Sequence, residues 1–82
     1  MTSKQIQQWC EDHDITILKA DGFDEAFLGV TTEDPPRAVY SVAKCLKVLE
    51  RDMSPVDAVD YFAFNVAGAY VGEQTPLFIE TP

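Results

Sequence analysis

The chain has 82 residues, 46% of them hydrophobic and 11% aromatic, and a formal net charge of −8. At that length one core is the most it can hold, so the chain reads as a single α+β domain over residues 1–82, and its apolar content argues against intrinsic disorder. No apolar run approaches the ~20 residues of a membrane span, and the opening MTSKQIQQWCEDHD has no apolar signal core, so the expected location is cytoplasmic with no membrane contact.

Thr2 or Ser3 can cap a first helix of about ten residues, in which Ile6, Trp9, Cys10 and His13 fall at i, i+3, i+4 and i+7 and would face the core. The β-branched run Ile15-Thr16-Ile17-Leu18 reads as a strand and Asp21-Gly22 as a turn. Ala26 to Thr31 would return as its hairpin partner. Two consecutive prolines in Glu33-Asp34-Pro35-Pro36 cannot join a ladder in mid-strand, so this stretch is a connection, followed by a short strand at Ala38-Val39-Tyr40.

Ser41 is a good N-cap for a second helix, whose Val42, Cys45, Leu46 and Leu49 repeat the core spacing while Lys44, Lys47 and Arg51 form a cationic ridge on another face. The strongest local signal is Ser54-Pro55-Val56-Asp57, which combines a capping serine, a proline at the first helical position and an acid three residues after the cap. This third helix is expected to run from Pro55 to about Val71 with Gly72 as its stop, burying Val59, Phe62, Ala63, Val66 and Tyr70. Leu77-Phe78-Ile79 reads as a last strand. The expected architecture is a small antiparallel sheet of three to four short strands packed against two to three helices.

From Tyr61 to Val71 the sequence is almost wholly apolar, with Asn65 its only strongly polar side chain. A helix apolar all round is normally covered all round, and a domain of this size has little to cover it with. A second stripe, Phe64, Gly68 and Val71 with Ala67 beside them, is therefore expected to bury itself against a second copy of the chain, giving a homodimer or a higher symmetric oligomer. The competing expectation is that the first helix or last strand folds over it.

The charge is unevenly placed, with eight acids between Glu11 and Asp34 against Lys19 alone. Such a field repels nucleic-acid backbones, so no direct nucleic-acid binding is expected, while it steers basic partners. The ridge of Lys44, Lys47 and Arg51 would suit an acidic partner or the acidic segment of another subunit.

Signals for catalysis are weak. Cys10 and His13 supply at most two soft ligands and the chain has one histidine, short of the four ligands of a closed zinc site. As a nucleophilic pair they fail because Cys10 should face the core among acids, where a thiol stays protonated. Both Cys10 and Cys45 read as buried, reduced small hydrophobes. The paired acids Asp24-Glu25, Glu33-Asp34 and Asp57/Asp60 are as expected of a solvated surface in an acidic chain, and Gly68 and Gly72 sit in GAYVG, outside any phosphate-loop pattern. No cofactor, metal or catalytic residue is assigned, and no enzymatic activity is expected.

The stretch from Pro36 to Glu80, with AVY before a helix and the block YFAFNVAGAYVGEQTP from Tyr61 to Pro76, resembles a family of small uncharacterised proteins of tailed phages and bacteria. The resemblance implies a phage-like origin and carries no activity or site residues with it. The expected function is that of a small non-enzymatic binding protein, a phage accessory factor that modulates a host or defence component and acts as a homo-oligomer. Two alternatives stand beside it: an acidic decoy of a nucleic-acid-binding protein, and a small-ligand-binding protein with its pocket near Tyr70, Glu73, Gln74 and Thr75.

Overall fold

In a computed structural model describing residues 1–82, the first helix, α1 (Ser3–Asp12), begins at Thr2, whose hydroxyl accepts the Gln5 backbone N–H while the Gln5 side chain accepts the Thr2 N–H. This reciprocal pair satisfies donors that the first turn otherwise leaves open. α1 ends with Asp14 in the left-handed region at φ 55°, where the Asp14 N–H reaches the Glu11 carbonyl at 3.2 Å and the Ile15 N–H the Cys10 carbonyl at 2.8 Å. Those two bonds close the last turn in the manner usually given to a glycine. Ile6 and Cys10 are buried and Trp9 half-buried, but His13 is exposed, its ring stacked on Trp9 at 4.6 Å.

A three-stranded sheet follows: β1 (Phe27–Val30), β2 (Ala38–Ser41) and, near the end of the chain, β3 (Leu77–Ile79), in the order β1-β2-β3. The fold is α+β, as expected. The sheet, however, is mixed: β1 runs antiparallel to β2, while β3 runs parallel to β2, pairing Val39 with Leu77 and Tyr40 with Phe78. An antiparallel sheet was expected. The parallel pair arises because the connection from β2 to β3 passes through two helices, the long crossover that parallel neighbours require.

Ile15–Leu18 forms no strand, so the hairpin is β1–β2 instead. Side chains take the place of a ladder there, since the Thr16 carbonyl accepts from Gln74 Nε2 at 2.8 Å and the Ala20 N–H donates to the Tyr40 hydroxyl at 3.0 Å. In β1 the register shifts between Phe27 and Gly29, leaving Leu28 as a bulge residue. The Thr31–Arg37 pair closes the connecting loop with two bonds of 2.9 Å.

β2 passes straight into α2 (Val42–Leu49), because Ser41 is both the last strand residue and the helix N-cap, its hydroxyl accepting the Lys44 N–H. Ser54 caps α3 (Pro55–Tyr61) in the same way. α3 then widens into a π-turn over Phe62–Val66, marked by the Ala67 N–H bonding the Phe62 carbonyl five residues back at 2.8 Å.

Two expectations about this helix fail. It stops near Ala67 and not at Val71, because the Thr75 hydroxyl accepts the Val71 N–H at 2.9 Å and donates to the Gly72 carbonyl at 2.6 Å, drawing the chain into a turn. Gly72, at φ 107°, serves that turn and not a helix end. Its buried seam is Ala58 and Phe62, with Val66 half-buried, whereas Val59 is 52% exposed and Ala63 and Tyr70 are exposed too. Ala58 is fully buried, and α3 lies against α2.

Tyr40, fully buried, holds the centre of the core. Its ring meets Phe27 edge-on at 5.7 Å and Phe78 at 5.6 Å, and Phe78 meets Phe62 edge-on at 5.2 Å, so one aromatic chain ties β1, β2, β3 and the π-turn together. Such pairs contribute about 0.5–1.5 kcal/mol each beyond their buried area.

Candidate functional site

The residues between Pro55 and Val71 present two different surfaces. The first is the stripe singled out in the sequence. Phe64 is 82% exposed and Val71 57% exposed, with Ala67 and Gly68 exposed between them. No other element of the chain covers it. Tyr70, 81% exposed, lies open nearby. A Cβ placed on Gly68 would meet the Ala63 carbonyl oxygen of its own chain at 3.3 Å, so the glycine already answers an internal close approach.

The second surface is a groove of about 510 Å³, within the range of ordinary ligand pockets. One wall is the Leu18–Phe23 loop, the floor is Phe78 with Val48 and Leu49 of α2, and the far wall is Tyr61 at the end of α3, Asn65 in the π-turn and Ala69 just beyond it. Phe64, Ala67 and Gly68 are not among its lining residues but Val71 is, so groove and stripe adjoin at Val71. Its polar groups are Lys19, Asp21, Asp52, Asn65 and the Tyr61 hydroxyl. Lys19 is occupied, donating to Ser3 Oγ at 2.7 Å and standing 3.7 Å from Asp24, while Asp21 and Asp52 stand in no ion pair.

No family model, curated protein or solved structure matches the chain. What the site can do is therefore argued from its own chemistry.

The four residues expected around a small ligand lie elsewhere. Gln74 Nε2 donates to the Thr16 and Pro36 carbonyls at 2.8 and 3.1 Å, and the Thr75 carbonyl accepts Arg37 Nε at 2.6 Å. Gln74 and Thr75 thus brace the C-terminal segment against two loops, while Tyr70 and Glu73 are exposed, and none of the four lines the groove.

Of the cationic ridge, Lys44 and Lys47 are exposed and in no ion pair, but Arg51 grips Glu25 of the same chain with both guanidinium amines. That contact holds the Glu25 carboxyl below its ordinary pKa and raises Arg51. One acid of the segment expected to attract another subunit's ridge, Glu25, is thus met by Arg51 within the chain.

Cys10 and Cys45 are both buried and free, and burial pushes the Cys10 thiol up and Cys45 up to about 11. His13 Nδ1 is held by the Trp9 carbonyl at 2.8 Å, away from the buried thiol of Cys10. No three side chains of His, Cys, Asp or Glu gather in a metal-binding geometry, and no helix is long and apolar enough to cross a membrane.

The groove was not read from the sequence, although one signal in it was visible: Asn65 is the lone polar residue in the apolar run, and it is the one that turns up in the groove wall.

Proposed function

We propose that the chain is a non-enzymatic binding protein that works as a homodimer, or a higher symmetric oligomer, joined through Phe64, Ala67, Gly68 and Val71. The observation that carries this is the exposure of Phe64, a large aromatic ring left 82% in water beside exposed Ala67, Gly68 and Val71 on a small domain. A two-fold contact buries such a stripe against its own copy. Thiols held protonated by burial support a binding role over a nucleophilic one. The resemblance of Pro36–Glu80 to small tailed-phage proteins supports a phage accessory factor acting on a host or defence component in the host cytoplasm.

Sedimentation equilibrium tests the oligomer. The wild type should sediment as a dimer or larger, and Phe64→Asp, at a position outside the core, should yield a folded monomer. A wild type that remains monomeric at high concentration removes the proposal.

A further inference from the structure

The groove between the Leu18–Phe23 loop and the Tyr61–Asn65–Ala69 wall has an occupant that its own chemistry defines. We infer that it takes a basic segment of a partner protein, inserting one bulky apolar side chain flanked by lysines or arginines. The inference rests on the reading of the chain as a binding protein, but not on its self-association.

Three observations converge. The lining is mostly apolar, with Leu49, Met53, Val66 and Phe78 among the residues a buried side chain would touch. Both lining carboxylates, Asp21 and Asp52, are free of ion pairs, whereas the single lining cation, Lys19, is already committed to Ser3 and Asp24. The groove therefore offers two carboxylates in no ion pair beside an apolar floor, and the net charge of −8 adds a long-range field of the same sign. The π-turn is the third. Widened turns of this kind are frequent at functional sites, and this one forms part of the wall that carries Asn65, whose side-chain amide can accept and donate to a peptide backbone laid across it.

An anionic or wholly polar segment does not fit this pairing of charge and floor. Nor does a plain polycation, which would satisfy the carboxylates and leave the groove empty.

Isotope-labelled Phe64→Asp chain, monomeric if the oligomer reading holds, is titrated at low salt with a peptide bearing one tryptophan between two pairs of lysines. Two control peptides replace the lysines with glutamates or the tryptophan with alanine. Amide shifts should concentrate at Gly22, Asn65 and Ala69 with the first peptide, and each control should bind at least about tenfold more weakly. Asp21→Asn combined with Asp52→Asn should weaken the first peptide several-fold and flatten its salt dependence, and Ala69→Phe should fill the groove and abolish binding with an unchanged melting midpoint. Equal binding of the glutamate or alanine peptide, shifts centred away from the groove, or indifference to the paired aspartate substitutions would each overturn the inference. Because the peptide is read on the Phe64→Asp chain, failure here leaves the oligomer untouched, and a monomeric wild type leaves the groove untouched.

Discussion

The phenol oxygen of Tyr40 accepts the Ala20 backbone N–H at 3.0 Å, so a residue at the centre of the sheet holds the loop that walls the groove. Tyr40→Phe keeps the ring contacts to Phe27 and Phe78 and removes this acceptor alone. Leaving a part-buried donor without its partner should lower stability by about 1–2 kcal/mol. A denaturant midpoint that falls with an unchanged slope checks it, and an unchanged midpoint shows the loop stands without the bond.

Asp14 closes α1 in a left-handed conformation that glycine adopts without strain. It also sets a negative charge beside the negative end of the helix dipole. Asp14→Gly should therefore stabilise the fold by up to about 1 kcal/mol. A rise of several degrees in melting temperature is the expected reading, and a fall would show that the Asp14 side chain supports the turn.

Ser54 accepts the Asp57 N–H at 3.2 Å at the start of α3, and Ser54→Ala should cost about 0.5–2 kcal/mol. Urea melts report it directly.

Burial raises the Cys45 thiol to about 11, so between the unfolded cysteine value of about 8.5 and that figure the unfolded chain sheds a proton that the native chain keeps. This contribution to stability is complete below the lower value and falls as pH rises through the window. Tyr40, also raised by burial, adds to the same alkaline loss at higher pH. Cys45→Ala should make the stability profile shallower above pH ~9. In the native wild type both thiols should resist alkylation at pH ~8 and react on unfolding, and a native thiol that reacts at the unfolded rate would contradict their burial.

The Glu25–Arg51 pair is exposed on both sides, so it alters a pKa more than it alters stability. Its contribution is present above the ordinary glutamate value and fades as pH falls through the lowered folded one. Arg51→Gln should return the Glu25 carboxyl toward its ordinary value in an NMR titration with little change in melting midpoint. A Glu25 that titrates identically in both proteins would show the pair does not persist in solution.

Local chemistry made much of the fold legible. Ser41 and Ser54 cap where their side chains said they would, Thr2 takes the first cap that the sequence offered to Thr2 or Ser3, and the spacing around Ile6, Cys10 and Cys45 pointed inward correctly. Where the outcome depended on a distant partner, the pattern misled. Ile15–Leu18 has strand propensity but no strand beside it, and the helix past Val66 yields to the Thr75 hydroxyl. The groove was hidden for the same reason, since its walls come from a loop, the end of α2 and a π-turn that meet only in three dimensions. The exposure of Phe64 was visible because it needs only helical spacing and a shortage of cover, whereas Val71, beyond the end of the helix, falls outside that spacing and lines the groove as well.

The bulge at Leu28 bears on how copies of the chain can meet. β1 and β3 are the outer strands, and each leaves a row of backbone donors and acceptors open to pairing. On β1 the register break interrupts that row after a single residue, and on β3 the row is three residues long. Neither margin offers a long straight template, so open-ended growth by strand addition is disfavoured, and assembly through the helical side can close on itself.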